Sequence, residues 1–529
     1  MTKKAFRGLV LCAFLGALAL RIVRLDVRPM HPDEANQAVK FGGLLEKGEY
    51  RFDPNDHHGP TLYYLTLPAA KAAGAKTLAE LDETVLRAVP AVLGAGLVLL
   101  FLLFSGGMSR EARLAAAALA AVSPALTYYA RFYIQETLLV FFLAGLLAAG
   151  WRYARTRSGW WAMAAGVSAG LMYATKETSL ILFAGLAAAF VIVYATEGLR
   201  APRGKVLPDG NGWVWRDLRV KLPTAFHSAL FLIAAAAVAV LFYTSFLGNF
   251  AGIIDAGRAV GVSFAKAGHP GAHAHPWYYY FQTLAYSRAA AGPAWSEAFL
   301  LFLAAAGAIA AFGHEAGPDG SPRFARFVLA FTVVTAAVYS LIPYKTPWNL
   351  LPFYLGLVLL AGNGAALLLR VSRFKLVRIA ILALLVPGFA SLAVQAFRGS
   401  FIDHSNPANP YVYAQTSPDL VRLVGAVERA AAAAPEKKDL LIKVIAPSEE
   451  TWPLPWYLRS YSRVGYWTSP GPAQAFTAAG EAAVVITSAA YAEEVGANLG
   501  DNYTQSFFGL RPEVVLCLFI QRGPGIGLD

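Results

Sequence analysis

The sequence predicts an all-α polytopic membrane protein, a bundle of about eleven transmembrane helices, followed by a C-terminal extracytoplasmic α/β domain. Three observations carry this expectation. The 529 residues are 57% hydrophobic, with a mean hydropathy of +0.48. Only 15% are charged, where a soluble domain carries roughly a quarter. Apolar runs approaching the roughly 20 residues that cross a hydrocarbon core recur down the chain, and the basic loops between them alternate.

The first run, 8–25, follows Lys3, Lys4 and Arg7. It resembles a signal peptide, but no small-residue cleavage site follows and Arg21 and Arg24 interrupt its end. It therefore reads as an uncleaved first transmembrane helix with a cytoplasmic N-terminus. Ten further runs lie near 88–104, 114–129, 137–151, 160–175, 179–195, 224–246, 295–312, 327–343, 349–369 and 377–397. The loops that should then be cytoplasmic include "SGGMSREAR", "WRYARTRSG", "EGLRAPRGKVLPDGNGWVWRDLRVK" and "RVSRFKLVR", all basic; "GHEAGPDGSPRFAR" is only weakly so. The opposite side receives "RFYIQE", "TKETS", "PYKTPW" and two long segments, 26–87 and 247–294.

Residues 1–398 thus form the membrane domain and 399–529 an extracytoplasmic one. "SPDLVRLVGAVERAAAA" reads as an amphipathic helix opened by Ser417 and Pro418, a common helix start. "DLLIKVIAP", "AAVVITSAA" and "EVVLCLFIQ" read as buried strands. Cys12 and Cys517 sit in unrelated contexts, so neither a disulfide nor a zinc-type spacing is expected. The net charge of +12 resides mostly in short loops, which indicates membrane orientation and not a nucleic-acid partner.

The outer side collects the unusual polar groups: Asp33 and Glu34; Asp53, Asp56, His57 and His58; Arg131, Tyr133, Gln135 and Glu136; Lys176 and Glu177; His269, His273 and His275; Tyr344 and Lys345. Ionisable groups near membrane depth usually face a cavity or one another. Such a cavity suits an amphiphilic phosphate substrate, and a carboxylate in it can act as general base toward a hydroxyl. Plainer readings stand beside this one. Asp33 and Glu34 can begin an interfacial helix, Lys176 with Glu177 and Arg131 with Glu136 can be ordinary ion pairs, and the histidines of "HPGAHAH" can decorate a loop. "DHHGP" can supply N and O metal ligands from His57 and Asp56, although neighbouring side chains diverge. "WYYYFQ" can be an interfacial belt, and Trp452 and Trp456 either stack on sugar or pack against the membrane domain.

"HPDEA", "DHHGPTLYYL", "ARFYIQETLLVFF" and "YKTPWNLLPF" together resemble the GT-C superfamily of polyprenyl-phosphate-sugar-dependent glycosyltransferases. The protein O-mannosyltransferases and lipid A aminoarabinose transferases are the similar branches. With "NPYVYAQTSPDL" and "WPLPWYLR", the chain also resembles the flippase-activity-associated proteins of archaeal N-glycosylation clusters and their bacterial relatives. The resemblance implies a plasma-membrane enzyme that transfers sugar from a polyprenyl-phosphate-linked donor, with inversion, to a glycan, lipid or protein acceptor on the outer face. It implies Asp33 as catalytic base with Glu34 as its partner, holding a helix or the acceptor, and Glu136 with Arg131 on a second wall. Lys345, Arg131, His58 and Lys176 become candidates for the donor phosphate, and Tyr64, Tyr344 and Trp348 for substrate contact. No cofactor follows with certainty; a divalent metal at His57 and Asp56 is an open alternative. The same residues would also serve a non-catalytic protein that binds lipid-linked sugar during its flipping.

Overall fold

The structure, a computed structural model, describes residues 2–56, 58–200, 223–268, 271–289, 292–313, 320–371, 374–471 and 482–522. Its helices are α1 (Lys3–Ile22), α2 (Pro32–Lys47), α3 (Thr61–Ala72), α4 (Glu83–Leu100), α5 (Arg110–Val122), α6 (Pro124–Tyr129), α7 (Glu136–Thr156), α8 (Gly159–Tyr173) and α9 (Ser179–Arg200). They continue as α10 (Ala225–Tyr243), α11 (Ala251–Gly268), α12 (Tyr279–Ala285), α13 (Ala298–Phe312), α14 (Pro322–Leu341), α15 (Leu351–Val371), α16 (Lys375–Phe401) and α17 (Pro418–Ala433).

Every apolar run is helical, but the runs are not equally long. Eight helices among the described residues are long and apolar enough to cross a membrane: α1, α4, α7, α9, α10, α14, α15 and α16. The other three runs are shorter. α8 and α13 have 15 residues each, about 22 Å at 1.5 Å per residue, and the third run is broken in two. Proline explains the break. Pro124 has no N–H and disfavours helix at the residue before it, so Ser123 ends α5 and caps α6 by accepting from the Leu126 N–H. Ala120 O then lacks its donor four residues on, and the Ala125 N–H is diverted to Glu297. The buried Arg21 guanidinium of α1 satisfies Ala120 O at 2.8 Å and Ala121 O at 2.9 Å.

Glycine sets the closest helix approaches. Gly166 and Gly170 of α8 face the Phe231 and Ala235 carbonyls of α10, and Gly307 of α13 and Gly364 of α15 face the Leu360 and Leu303 carbonyls. A methyl group at any of the four would overlap an oxygen, which is why small residues mark such membrane interfaces. α15 runs through the middle, with 83% of its span buried. In α10 only Tyr243 is buried, so most of its apolar side chains are available to lipid.

The C-terminal portion is a five-stranded sheet with α17 packed on it: β1 (Ile442–Ile445), β2 (Val464–Trp467), β3 (Val484–Ser488), β4 (Tyr503–Arg511) and β5 (Val514–Gln521), in the order β2-β1-β3-β5-β4. β1 is parallel to β2 and β3, whereas β5 is antiparallel to β3 and β4. The three strands predicted from sequence are the buried β1, β3 and β5; β2 and β4 were not visible as strands. Ser417 caps α17 and Pro418 is its first residue, as expected.

This portion is tied to the start of α2. The Tyr457 hydroxyl accepts from the Met30 N–H, Thr416 donates to Met30 O, and Gln415 donates to Pro29 O. Trp456 is buried and donates to Glu83, with the Arg459 guanidinium over its ring. Of the two readings of Trp456, it is packing against the membrane domain that the structure bears out.

Candidate functional site

A cavity of about 320 Å³ opens beside the first turn of α2, within the range of small-molecule sites. Asp33 and Gln37 line it from α2, and Gln135 and Glu136 from the start of α7. Lys176, Glu177 and Thr178 come from the turn before α9, Tyr339 from α14, and Tyr344, Thr346, Trp348 and Asn349 from the segment between α14 and α15. His58 closes one side, and α11 covers another with Val260, Ser263, Phe264 and Lys266.

The sequence "HPDEA" folds so that its two acids part. His31 caps α2, its Nδ1 accepting from the Asp33 N–H at 3.1 Å. Its other nitrogen, Nε2, lies 3.0 Å from the Tyr413 carbonyl. A ring that accepts at Nδ1 and faces a carbonyl at Nε2 is the neutral tautomer with its proton on Nε2. Asp33, second residue of the helix, faces the cavity with its side chain 39% exposed. Glu34 turns inward and is fully buried. Both its oxygens take 2.7 Å bonds from Arg87, and it also accepts from the Tyr133 and His31 N–H groups. Burial pushes the Glu34 carboxyl up, but Arg87 and Arg28 outweigh it and hold it at about 2.

The other cavity carboxylates are paired. Lys176 binds Glu136 Oε1, and His58 Nδ1 lies 2.9 Å from Glu177 Oε2. Burial pushes the Glu177 carboxyl up, but the His58 ring prevails and holds it below the usual range. Burial raises the Tyr344 hydroxyl to about 12, so at neutral pH it stands in the cavity as a hydrogen-bond donor.

Several expectations are corrected. Glu34 does not reach the cavity to hold an acceptor; of its two expected roles it keeps that of holding a helix, as the buried anchor of α2. Arg131 does not pair with Glu136 or face the cavity. Its guanidinium donates to the Leu20, Arg21, Val23 and Arg24 carbonyls at and just beyond the end of α1, where helical carbonyls run out of partners four residues on. Lys176 pairs with Glu136 and not with Glu177. Lys345 is buried beside the site, and its ammonium donates to the Ile342 and His275 carbonyls. Tyr64 packs edge-on against Phe242 and Phe246 instead of lining the cavity. The Asp56 carboxylate lies 3.1 Å from Lys40 Nζ, while His57 and His269 lie outside the described residues. Among the described residues, no three His, Cys, Asp or Glu side chains converge as metal ligands. His273 and His275 pack on tyrosines: His273 bonds the Tyr413 hydroxyl at 2.6 Å, and His275 stacks on Tyr279.

Sequence reading missed Gln37, Tyr339, Asn349 and Lys266. Gln37 carries a usable signal, since it lies four residues after Asp33 on the same helix face. α11 carries a weaker one, a stripe of small residues at helical spacing (Gly252, Ala256, Ala259) inside a segment taken for a loop; these three are buried.

Comparisons with known proteins agree with the fold. Residues 67–203 match the family described as dolichyl-phosphate-mannose-protein mannosyltransferase, a stretch that includes Glu136, Lys176 and Glu177. No curated protein matches the chain. Among solved structures, ArnT from Cupriavidus metallidurans bound to undecaprenyl phosphate superposes with a TM-score of 0.61 at 15% identity, covering 97% of this chain and 98% of that one. The Archaeoglobus fulgidus oligosaccharyltransferase, tethered to an acceptor peptide containing the NVT sequon, gives 0.54 at 14% identity, over 100% of this chain and 75% of that one. The chain has the fold of ArnT and of the archaeal oligosaccharyltransferase, the fold its motifs led one to expect.

Proposed function

We propose that the protein is an inverting glycosyltransferase, with a polyprenyl-phosphate-linked sugar as donor and Asp33 as general base. The acceptor hydroxyl oxygen attacks the anomeric carbon, the bond from that carbon to the phosphate oxygen breaks, and polyprenyl phosphate leaves. Asp33 takes the hydroxyl proton. No covalent enzyme intermediate is needed. The alternation of basic loops supports putting this chemistry on the outer face of the plasma membrane, with the N-terminus inside.

One observation carries the reading. Of the three carboxylates that line the cavity, Glu136 is engaged by Lys176 and Glu177 by His58, whereas Asp33 is half open. The one basic side-chain nitrogen within 4 Å of it among the described residues is His31 Nδ1, at 3.9 Å, and that nitrogen is uncharged in the tautomer that accepts from Asp33's own N–H. A base must be free to accept a proton, and a carboxylate neutralised by lysine is a poor one. The fold shared with ArnT, whose structure holds undecaprenyl phosphate, supports the class of donor.

The test is Asp33→Asn, assayed by release of labelled sugar from a polyprenyl-phosphate sugar with the protein in nanodiscs. Transfer should fall by about 10²–10⁴-fold, the usual worth of a general base, with lipid binding retained. Undiminished transfer would remove Asp33 from the role. A wild type that binds the lipid yet transfers from no donor would instead favour the non-catalytic binder.

A further inference from the structure

The cavity presents hydrogen-bond acceptors that nothing among the described residues satisfies. Glu136 Oε2, Glu177 Oε1 and Gln135 Oε1 are buried without a hydrogen-bond partner, and all three residues line the same cavity as Asp33. The residues are 4%, 6% and 1% exposed. Each holds its place through its other polar atom. Glu136 Oε1 binds Lys176, Glu177 Oε2 binds His58, and Gln135 Nε2 donates at 2.9 Å to Gln37 Oε1, which also accepts from Tyr63. In this arrangement the Gln135 amide keeps its oxygen free for the cavity. Buried polar atoms without partners are rare, and a set of them on one cavity wall marks a place where something else completes the bonds.

We infer that Gln135, Glu136 and Glu177 form a sugar subsite that accepts hydrogen bonds from free hydroxyl groups on the donor's hexose ring. This rests on the reading of a lipid-linked sugar donor and specifies which part of it these residues hold. Two arguments favour hydroxyls over a cation. Lys176 and His58 already face the two carboxylates, so the unmet requirement is for donors and not for positive charge. Lys176 would also repel a divalent ion placed on Glu136. An alcohol donates a proton without adding charge, and neighbouring ring hydroxyls can serve adjacent acceptors at once. The phosphate, which offers only acceptors, does not belong on this wall.

The experiment measures binding and not turnover. Full-length protein in nanodiscs is titrated with undecaprenyl phosphate, and with undecaprenyl phosphate carrying mannose, glucose or galactose. At least one sugar-bearing lipid should bind tenfold or more tightly than the bare lipid. Gln135→Leu and Glu177→Ala, made in parallel so that misfolding of one leaves the other, should each remove most of that preference while bare-lipid affinity stays within twofold. Equal losses for both kinds of lipid, or an unchanged preference, overturn the subsite. A preference abolished by EDTA and restored by manganese assigns the oxygens to a metal and overturns it too. Wild type that binds every lipid equally defeats the subsite alone; wild type that binds none defeats the donor reading with it.

Discussion

Lys266 lines the cavity from α11 and remains exposed, while Lys176, His58, Lys345 and Arg131 are held by carboxylates or carbonyls. A phosphate leaving with a second negative charge needs a cation that can move to it. Lys266→Ala should therefore raise the donor KM about tenfold, roughly 1.4 kcal/mol, with kcat changed less. Steady-state kinetics over a range of lipid donor concentrations check this, and Lys266→Arg should restore most of the affinity. Glu34 makes a different prediction, about stability. Its carboxyl sits at about 2 against an ordinary 4.5, so the folded state holds the charged form. A depressed acid contributes stability that is complete above about 4.5 and is lost as pH falls toward 2. Glu34→Gln leaves Arg87 and Arg28 buried without their anion and should cost about 3–5 kcal/mol at pH 7. The difference in melting temperature between variant and wild type should narrow as the buffer is taken from pH 5 to pH 3.

α2 shows how a helix start becomes a device for aiming a side chain. His31 bonds the Asp33 N–H with one ring nitrogen and the Tyr413 carbonyl with the other, so the cap is held from outside the helix. His31→Ala removes both bonds and should lower stability by about 1 kcal/mol for the cap alone. His31→Asn keeps a capping oxygen but its short side chain loses Tyr413, so stability should largely return while kcat stays several-fold down. Thermal melts and transfer rates on the same preparations separate the two effects. The sequence shows part of this arrangement. The acids after the first apolar run and the eleven helical runs were legible because long apolar runs that approach a membrane's thickness have few other uses in a folded chain. α11 and α12 were hidden in a segment too short and too polar for that signal. β2, with Gly465 in its four residues, and β4, half exposed along most of its length, lack the buried apolar run that revealed β1, β3 and β5. The partners of Arg131 and Lys345 were illegible for another reason. Each is bound to carbonyls whose availability depends on where other segments end, and no local pattern encodes that.

On the scale of the whole chain, membrane bundle and C-terminal sheet meet at the residues that introduce Asp33. Gln415, Thr416 and Tyr457 bond the backbone of Pro29 and Met30, and the Tyr413 carbonyl receives His31. Three consecutive residues, Pro29 to His31, are thus gripped from the distant end of the sequence. Nearby, Tyr411 donates to the buried Glu297 at the head of α13, which carries the same linker into the bundle. A rigid framework on both sides of a base positions it to within the tolerance that proton transfer requires. The sheet portion should therefore influence turnover without touching the donor. Thr416→Val with Tyr457→Phe keeps the shape of both side chains and removes two of the bonds, each worth about 1 kcal/mol net and more where a backbone group is left unpaired. The double variant should melt a few degrees lower and transfer sugar about tenfold more slowly, while its affinity for undecaprenyl phosphate, measured in the same nanodiscs, stays within twofold. An equal fall in lipid affinity would mean that the contact shapes the whole cavity. A loss of melting temperature with no change in rate would mean that it only fastens the two portions together.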